Sequence, residues 1–364
     1  MTIKKVAIIT EFLFHFGGIE KSILQLYNGL KARGIEVDIY CGLYDPSKTY
    51  DEFKEIDIKS FTSEHKSAGY HSIWLRQQFS KLKLSGYDGH ILFGFHSLAA
   101  AENNHPNVIW EQGPLSYLYL DYDAGIKKGI KKFLKDLYLK RLRSIDQQNI
   151  KGVDHIFSLG PWSNRKLKEA YPDRDNEILF QPVDINKYNI NVLGLYYLSI
   201  GRLGKHVDKV VKAFQKMPDK QLHVYGAGSE EEKAEINALA KGYPNIHILG
   251  FAEEKDIPKI FGNCIAAIGI NIEEDFHMGL MEALASGKPS ISINLDPNIK
   301  ENIVMGPTGV LIKSADPDTI SKAVQLLNKE VSYGMRYACK ERAKDFSCDH
   351  FVDTILKRLE NQKV

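Results

Sequence analysis

The sequence predicts an α/β protein of two halves, each built on a parallel β-sheet. Near the N-terminus an apolar run, KKVAIIT, is followed by Gly17 and Gly18, an amphipathic stretch and a second apolar run, EVDIYCG. This order predicts a βαβ unit, whose two strands are parallel. Residues 186–194 are polar and asparagine-rich, a composition typical of a linker. The same strand and helix rhythm then restarts at LYYLSIG.

The individual elements follow from apolar periodicity. In the first half, apolar residues recur at helical spacing from Ile19 to Leu30, Gly34 ends that helix, and a second helix is predicted from Trp162 to Ala170. Strands of this half are predicted at KKVAIIT, EVDIYCG, GHILFGF, NVIWEQ, HIFSLG and EILFQP. Strands of the second half are predicted at LYYLSIG, KQLHVYGAG, IHILGF, IAAIGIN and PSISIN, with helices at HVDKVVKAFQKM, SEEEKAEINALAKG and EKDIPKIFGNC.

These elements predict three parts of the chain. We expect a first domain over residues 1–187, a second over residues 195–345, and a C-terminal amphipathic helix over residues 346–364. The helix either stays on the second half or crosses back to the first.

Composition limits the classes of function. A chain of 364 residues with 43% hydrophobic and 26% charged residues is typical of a soluble protein of two domains. Its 48 basic and 46 acidic residues leave a net charge of +2, which argues against a nucleic-acid binder. The four cysteines are scattered without a C-x-x-C pair, so we expect a cytoplasmic protein with reduced thiols and no metal site.

Two stretches lie at strand-to-helix turns, where a parallel sheet binds ligands and helix N-termini favour phosphate. Gly17 and Gly18 occupy the first turn. Their lack of side chains either lets a ligand approach the backbone or serves a tight turn with positive φ. In the second turn, SIGRLGKHVDK, Arg202 and Lys205 either bind a diphosphate or form a solvated basic turn.

A third stretch, EEDFHMGLMEALASG, places Glu274 on a loop and Glu282 near the start of a short helix. The helix dipole alone favours a carboxylate at that position. Such a carboxylate can also accept hydrogen bonds from vicinal hydroxyls, as acidic residues do for ribose in dinucleotide-binding folds. Glu274 would face the same ligand from another side, and Gly279 would lie near a phosphate or sugar.

The stretch HVYGAGSEEE contains G-x-G after a strand. Glu231 stands where a dinucleotide-binding fingerprint has its third glycine. A nicotinamide-dependent oxidoreductase is therefore disfavoured.

Taken in order, GGIEKSILQLYNGLKARGIEV, SIGRL, VYGAGSE and EEDFHMGLMEALASGKPSI resemble the family 4 retaining glycosyltransferases of GT-B fold. That family has a glycine-rich loop after its first strand, a G-R-L motif opening its C-terminal half, and an E-x7-E motif. The resemblance spans nearly the whole chain and is strongest from Tyr197 to Ile312. It implies GT-B architecture, in which two Rossmann-like domains face each other across a cleft, with the acceptor on the first and the donor on the second.

The resemblance also implies roles for single residues. Arg202 and Lys205 would hold the diphosphate of a nucleotide sugar and neutralise the leaving group, and Glu274 would lie near the donor sugar; these are the catalytic candidates. Glu282 would bind the ribose hydroxyls. Further donor contacts would come from Phe276, His277, Met278 and Gly279, and from Gly17 and Gly18. The nucleotide sugar is a co-substrate, transfer retains the anomeric configuration, and neither metal nor cofactor is expected.

The sequence departs from the family pattern in three places. His277 stands where the family often has glycine, and its imidazole either blocks close approach or donates to a phosphate. The loop before Lys205 is shorter than usual, which weakens that match. Gln112 stands where many members have histidine, and glutamine can hydrogen-bond a sugar hydroxyl but cannot carry a proton. His96 matches another histidine of the family, near the acceptor, or is a satisfied histidine at a strand end.

A basic amphipathic helix is predicted over residues 126–143, which hold six lysines, two arginines and one acid. Its apolar side chains either lie on an anionic membrane or pack on their own domain. The resemblance implies a glycan or glycolipid acceptor and favours peripheral contact with the cytoplasmic membrane face. Two alternatives to a hexosyltransferase stay open: a sugar-nucleotide epimerase of GT-B fold, and a catalytically weak nucleotide-binding subunit of a glycan assembly complex.

Overall fold

The structure, a computed structural model, describes residues 3–63, 68–111, 130–190, 192–270, 278–293 and 306–362. The chain divides into two compact units. The first unit comprises Met1–Pro182 and Cys348–Val364, and the second comprises Val183–Ser347. The division falls a few residues before the stretch with linker composition, and the C-terminal helix is part of the first unit.

The described part of the first unit contains a seven-stranded, fully parallel sheet in the order β3-β2-β1-β4-β5-β6-β7. Residues 6–9 of the interior strand β1 are all fully buried, because helices cover both faces of such a sheet. This burial explains the uninterrupted apolar run in the sequence. The strands are β1 Lys5–Leu13, β2 Glu36–Tyr44, β3 Ile58–Thr62, β4 Gly89–Phe93, β5 Asn107–Glu111, β6 His155–Ser158 and β7 Asn176–Ile178.

The first helix illustrates how the local sequence sets the helices of this unit. Ile23, Leu26 and Leu30 recur at helical spacing and are fully buried. The helix ends where Gly34, at a φ of 74°, donates its N–H to the Lys31 carbonyl at 2.9 Å. The described helices are α1 Gly18–Ala32, α2 Ala68–Lys81, α3 Ile130–Asn149 and α4 Pro161–Ala170.

The described part of the second unit contains a six-stranded parallel sheet in the order β10-β9-β8-β11-β12-β13. Both sheets reverse their strand order once, between β1 and β4 in the first and between β8 and β11 in the second. In open α/β sheets such a switch point, at the carboxyl ends of the strands, is where ligands bind. The strands are β8 Tyr196–Arg202, β9 Leu222–Ala227, β10 Ile246–Gly250, β11 Cys264–Gly269, β12 Ser290–Ile293 and β13 Gly309–Ile312.

The core of the second unit joins its sheet to the flanking helices. Val210, Val211 and Phe214 of the first helix, with Ile291 of β12, are fully or almost fully buried. The described helices are α5 Val207–Gln215, α6 Glu230–Ala240, α7 Ile257–Gly262, α8 Met278–Ala285, α9 Pro317–Leu326, α10 Lys329–Gly334 and α11 Arg336–Ala343.

The C-terminal helix, α12 Cys348–Asn361, packs on the first unit. Phe351, which is 1% exposed, meets the ring of Trp110 edge to face at a centroid distance of 5.6 Å. Arg33 of α1 donates to Asp353 through Nε at 3.0 Å and to Asp349 through Nη2 at 2.9 Å. An apolar contact and a charged contact thus attach this helix to β5 and α1.

A charged cluster surrounds Asp38 on β2. The Tyr87 hydroxyl donates to its carboxylate at 2.6 Å, and the ammonium groups of Lys59 and Lys5 lie 2.9 and 3.3 Å away. Burial disfavours the charged carboxylate, but hydrogen bonds from Tyr87, Lys59 and Lys5 outweigh it and lower the pKa of Asp38 to about 2.

The basic helix predicted over residues 126–143 is described from Ile130, and α3 continues to Asn149. Its apolar side chains have two different environments. Leu142 is buried against the first unit, whereas Phe133 is 65% exposed and Leu137 is 56% exposed. Residues 126–129 lie outside the described residues. Among the described helices, none combines the length and the apolar character that crossing a membrane requires.

Candidate functional site

The switch point of the second sheet brings two of the predicted residues together. Arg202 is the last residue of β8, its side chain is exposed, and Lys205 follows in the turn before α5. The Lys205 N–H donates to the Arg202 carbonyl at 3.2 Å, which closes the turn. His206 follows at a φ of 57°, a left-handed conformation that is uncommon outside glycine. Two cations therefore stand at the carboxyl end of a strand beside a helix start.

Close backbone packing fixes this turn against the neighbouring strand. Leu203 is buried and donates its N–H to the Ala227 carbonyl at 3.0 Å. A Cβ on Gly226 would overlap the Gly201 carbonyl oxygen, and a Cβ on Gly204 would overlap the Glu232 carboxylate. Gly226 is thus required by the close approach of β8 and β9, whereas a Cβ at Gly204 need only displace the end of the Glu232 side chain.

Glu232, the last glutamate of HVYGAGSEEE, has a structural role at the start of α6. Glu232 accepts from the Ser229 N–H at 2.7 Å, and Ser229 Oγ accepts from the Glu232 N–H at 3.2 Å. This reciprocal pair is a capping box, which satisfies two N–H groups at the helix start. The stretch therefore has a local structural explanation that involves no dinucleotide.

Glu282 lies on α8, the helix between β11 and β12, and is 7% exposed. The sequence predicted it near the helix start, but it is the fifth of the eight residues of α8. Burial, and then the negative charge of the nearby Glu282 carboxylate, raise the pKa of Tyr188 well above its ordinary value.

The chain segment before β8 is attached to α8 and to the residues that follow it. The ammonium of Lys288, a residue that is 5% exposed, donates a hydrogen bond to the Val192 carbonyl at 2.6 Å. Lys340 donates to the carbonyls of Ile185 and Ala285, the latter at 3.2 Å. Burial lowers the pKa of both lysines. Sequence reasoning missed this arrangement, because the only local signal was one tyrosine in an asparagine-rich stretch.

In the first unit, Gly17 and Gly18 form the turn from β1 to α1. The explanation by positive φ is wrong, since the φ of Gly17 is −111° and Gly18 begins the helix. A Cβ on Gly17 would lie 2.6 Å from a Glu20 carboxylate oxygen, and one on Gly18 would lie 2.6 Å from the Gln181 amide nitrogen. The Gln181 amide donates to the Gly18 carbonyl. A side chain at either position would therefore displace the end of the Glu20 or the Gln181 side chain.

Glu20 supports this turn from within. The side chain is 5% exposed, so burial raises the pKa of its carboxyl, while backbone N–H groups of Glu20, His15 and Gly17 lower it. Those hydrogen bonds connect the first turn of α1 to the residues that precede it.

His96 lies just beyond the carboxyl end of β4, at the switch point of the first sheet. It is 9% exposed, and its Nδ1 lies 2.5 Å from a carboxylate oxygen of Glu11, which also accepts the His96 N–H at 3.0 Å. The ring meets those of Phe12 and Phe95 edge to face. Glu11 thus fixes the orientation of the imidazole. Sequence reasoning did not identify Glu11, which is near in space but 85 residues away.

The remaining predicted residues fall in two groups. Met278 and Gly279 open α8, and Gly279 is buried. Four others, Glu274, Phe276, His277 and Gln112, lie outside the described residues. Within the described ranges, no group of three or more His, Cys, Asp or Glu side chains could hold a metal ion.

Comparisons with known proteins connect this geometry to a family. Residues 180–346 match the family model of Glycosyl transferases group 1. An uncharacterized glycosyltransferase of Haemophilus influenzae is 22% identical over 96% of this chain and 98% of its own length. A UDP-N-acetylglucosamine–peptide N-acetylglucosaminyltransferase GtfA subunit of Streptococcus agalactiae is 29% identical over 55% of this chain. The aligned part spans only 37% of that subunit's length.

A solved structure extends the comparison to the fold. The apo form of the lipopolysaccharide outer core galactosyltransferase WaaB covers 99% of this chain and 100% of its own, with a TM-score of 0.68 at 18% identity. The predicted fold class is confirmed: the chain has the GT-B fold, with two Rossmann-like parallel-sheet domains. The residues that match the family model, 180–346, lie almost wholly in the second unit.

Proposed function

We propose that this chain is a family 4 retaining glycosyltransferase, which moves a hexose from a nucleotide-diphosphate sugar to a glycan or lipid-linked glycan. The observation that supports the proposal most directly is the switch point of the second sheet. There, Arg202 ends β8 and Lys205 follows it, and the neighbouring strand β11 leads to the helix bearing Glu282. All three lie within the part of the chain that matches the glycosyltransferase family.

The two cations would bind the diphosphate. A guanidinium binds phosphate oxygens as a fork, whereas an ammonium acts as a point charge. Departure of the nucleoside diphosphate places negative charge on the leaving oxygen, and Arg202 with Lys205 would stabilise it. Since two protein cations supply this charge, we propose a transfer that needs neither metal ion nor cofactor. Glu274 would lie beside the donor sugar.

The rest of the donor would be held by backbone and carboxylate groups. Glu282 would accept hydrogen bonds from the ribose hydroxyls. Residues 276–279 would contact phosphate and sugar, and Gly17 and Gly18 would contact the donor from the first unit. The Streptococcus agalactiae relative is named for UDP-N-acetylglucosamine, so UDP is the first nucleotide to test.

The acceptor would bind on the first unit. His96, oriented by Glu11, would face an acceptor hydroxyl, and Gln112 would hydrogen-bond the reacting sugar. We propose a cytoplasmic enzyme that contacts an anionic membrane through residues 126–143. Support comes from α3, where Phe133 and Leu137 are exposed on a helix rich in lysine and arginine.

The donor site can be tested by isothermal titration of UDP, GDP, ADP and dTDP into the wild-type protein and Glu282→Gln. Glutamine keeps the side-chain volume of this buried residue and removes only its charge. Loss of a charged hydrogen-bond acceptor should cost about 1.5–3 kcal/mol, roughly tenfold to a hundredfold in affinity. Glu341→Gln, an exposed glutamate of α11, is the matched control and should bind like wild type.

The outcomes separate the alternative functions. Nucleotide binding followed by transfer to an acceptor supports the glycosyltransferase. Conversion of the donor sugar without any acceptor would instead identify an epimerase. Binding without either reaction would identify a nucleotide-binding subunit, and binding of none of the four nucleotides would contradict the donor site altogether.

The membrane contact can be tested by sedimentation with vesicles of phosphatidylglycerol and of phosphatidylcholine. We expect binding only to the anionic vesicles, and a loss of at least about threefold for the pair Phe133→Ser and Leu137→Ser. Leu326→Ser is the matched control, because Leu326 is similarly exposed, at 63%, on the second unit. Equal binding to both vesicle types, or no effect of the pair, would contradict this contact.

A further inference from the structure

A short aromatic segment lies between the end of β1 and the glycine turn. Phe14, His15 and Phe16 follow the last residue of β1 and precede the glycine pair. Phe16 is 69% exposed. Single exposed apolar side chains are common on protein surfaces. This one differs in its position, because it follows a strand at the switch point of the first sheet, where a parallel sheet binds ligands.

The backbone that bears the exposed ring is held on both sides by two residues that follow β2. Thr49, which is 1% exposed, donates its hydroxyl to the His15 carbonyl at 3.1 Å. The Tyr50 hydroxyl donates to the Gly17 carbonyl at 3.4 Å, and its ring meets that of Phe16 edge to face at a centroid distance of 5.5 Å. The Phe16 ring is therefore exposed at a position that its neighbours fix.

Ring contacts connect this segment to His96. The Phe12 ring meets the His96 imidazole at a centroid distance of 5.7 Å and the Phe14 ring at 5.2 Å. The Phe14 ring in turn lies 4.1 Å from that of His15, the neighbour of Phe16 in the chain. Ligand sites typically combine aromatic surface with a few polar groups that fix orientation. The carboxyl edge of the first sheet has both.

We propose that Phe16 determines acceptor specificity, by packing its ring against the C–H face of a pyranose unit of the acceptor. This inference rests on the proposed function, in which the acceptor binds on the first unit. A pyranose presents C–H groups on the faces of its ring and most of its hydroxyls around the rim. The π face of an aromatic ring carries partial negative charge, so it attracts such C–H groups.

The chemistry around Phe16 favours a cyclic sugar over other acceptors. An open-chain polyol or a peptide hydroxyl has no rigid C–H face to cover an aromatic ring. An acyl chain would need a continuous apolar surface, whereas the next residue, His15, is exposed and polar. Its imidazole can hydrogen-bond a hydroxyl at the rim of a sugar. The acceptor class is therefore a glycan whose recognised unit is a pyranose.

The test uses saturation-transfer difference NMR with the methyl β-glycosides of glucose, galactose and N-acetylglucosamine. Sorbitol is the open-chain control, since it has hydroxyls but no ring. Each probe is titrated with and without the tightest-binding of UDP, GDP, ADP and dTDP. The proteins are the wild type, Phe16→Ala, Phe16→Leu and Phe16→Tyr. Tyr337→Ala is the matched control, because Tyr337 is similarly exposed, at 61%, on α11 of the second unit.

We expect the wild type to bind at least one glycoside and not sorbitol, with saturation strongest on the protons of one ring face. Phe16→Ala and Phe16→Leu should each weaken this binding by about three- to tenfold, because neither keeps a flat ring. Phe16→Tyr keeps the ring and should bind within about twofold of wild type, as should Tyr337→Ala. Nucleotide affinity should be the same in all five proteins.

Several results would overturn the inference. Wild-type binding by Phe16→Leu would mean that the surface is apolar without stacking, and equal binding of sorbitol would mean that no ring is recognised. Loss of nucleotide and glycoside binding together in Phe16→Ala would mean that the ring only supports the turn. Loss of binding to phosphatidylglycerol vesicles alone would assign the ring to the membrane.

Failure of this inference is distinguishable from failure of the proposed function. Nucleotide binding without binding of any glycoside would overturn the role of Phe16 and leave the donor site standing. Absence of nucleotide binding would contradict the donor site, whereas the glycoside titrations without nucleotide would still report on Phe16.

Discussion

Replacement of Phe351 by alanine should destabilise the first unit selectively. Phe351 lies on α12, is 1% exposed, and meets the ring of Trp110 edge to face. The side chain is thus part of the interior of the first unit although it lies close to the C-terminus. The substitution removes a buried ring and leaves a cavity beside Trp110.

The expected loss is about 3–5 kcal/mol, the usual range for a buried phenylalanine replaced by alanine. The edge-to-face contact with Trp110 contributes within that range, since such a pair is worth about 0.5–1.5 kcal/mol. For a unit of this size, each kcal/mol lowers the melting temperature by about 2–4 °C. The first unit should therefore melt roughly 6–20 °C lower.

The distribution of tryptophan supplies the assay. All three tryptophans, Trp74, Trp110 and Trp162, belong to the first unit. Tryptophan fluorescence therefore reports the melting of the first unit, while far-ultraviolet circular dichroism reports both units. The two signals must be followed separately, because a chain of two units need not unfold in one step.

The matched control is Phe214→Ala, which removes a fully buried phenylalanine from the second unit. It should shift the circular dichroism transition and leave the fluorescence transition in place. The reasoning would be refuted if Phe351→Ala left the fluorescence transition unchanged, because α12 would then contribute nothing to the first unit.

Three further predictions concern single contacts. Gly226→Ala should lower the melting temperature of the second unit by several degrees because its Cβ would overlap a backbone oxygen, whereas Gly262→Ala, with open space at its Cβ, should not. The pKa of Asp38 falls from 3.8 to about 2 on folding, so its stabilising contribution is complete above pH 3.8 and is lost as the pH falls toward 2. Acid titration of stability should therefore be shallower in that window for Asp38→Asn. A double-mutant cycle of Arg33→Ala and Asp353→Ala should give a coupling of only about 0.2–1 kcal/mol, because Asp353 is 65% exposed.

Each of these has a clear contrary result. Equal melting temperatures of the two glycine variants would mean that the turns of the second unit accommodate the added Cβ without loss of stability. Parallel acid titrations of wild type and Asp38→Asn would mean that the carboxylate has the same proton affinity in the folded and unfolded chain. A coupling free energy well above the about 0.2–1 kcal/mol of exposed ion pairs would mean that this ion pair is shielded from solvent.

The fold was largely predictable because its strands are short apolar runs separated by glycine turns. The run over residues 6–9 is buried on both faces, and a strand in that environment has one dominant pattern. The positions of Arg202 and Lys205 followed from the same rhythm, since the residues after a parallel strand lie at its carboxyl edge.

Contacts distant in sequence were not predictable from local pattern. A Cβ on Gly18 would meet the side chain of Gln181, which is 163 residues away. The segment with linker composition is attached through the Val192 carbonyl, which accepts from Lys288, 96 residues away. A linker and a segment that is held in place by hydrogen bonds can have the same polar composition. Only the folded chain distinguishes them.

The second unit interrupts the first unit in sequence, and this order affects how the chain folds during synthesis. The second unit is continuous in sequence, whereas the first is completed only by α12. At about 5–20 residues per second, a ribosome takes roughly 10–30 s to translate the second unit. During that time α1 and β5 lack the helix that covers them. The unit encoded later is therefore the first that can finish folding, and the nascent first unit is the part that a chaperone would bind.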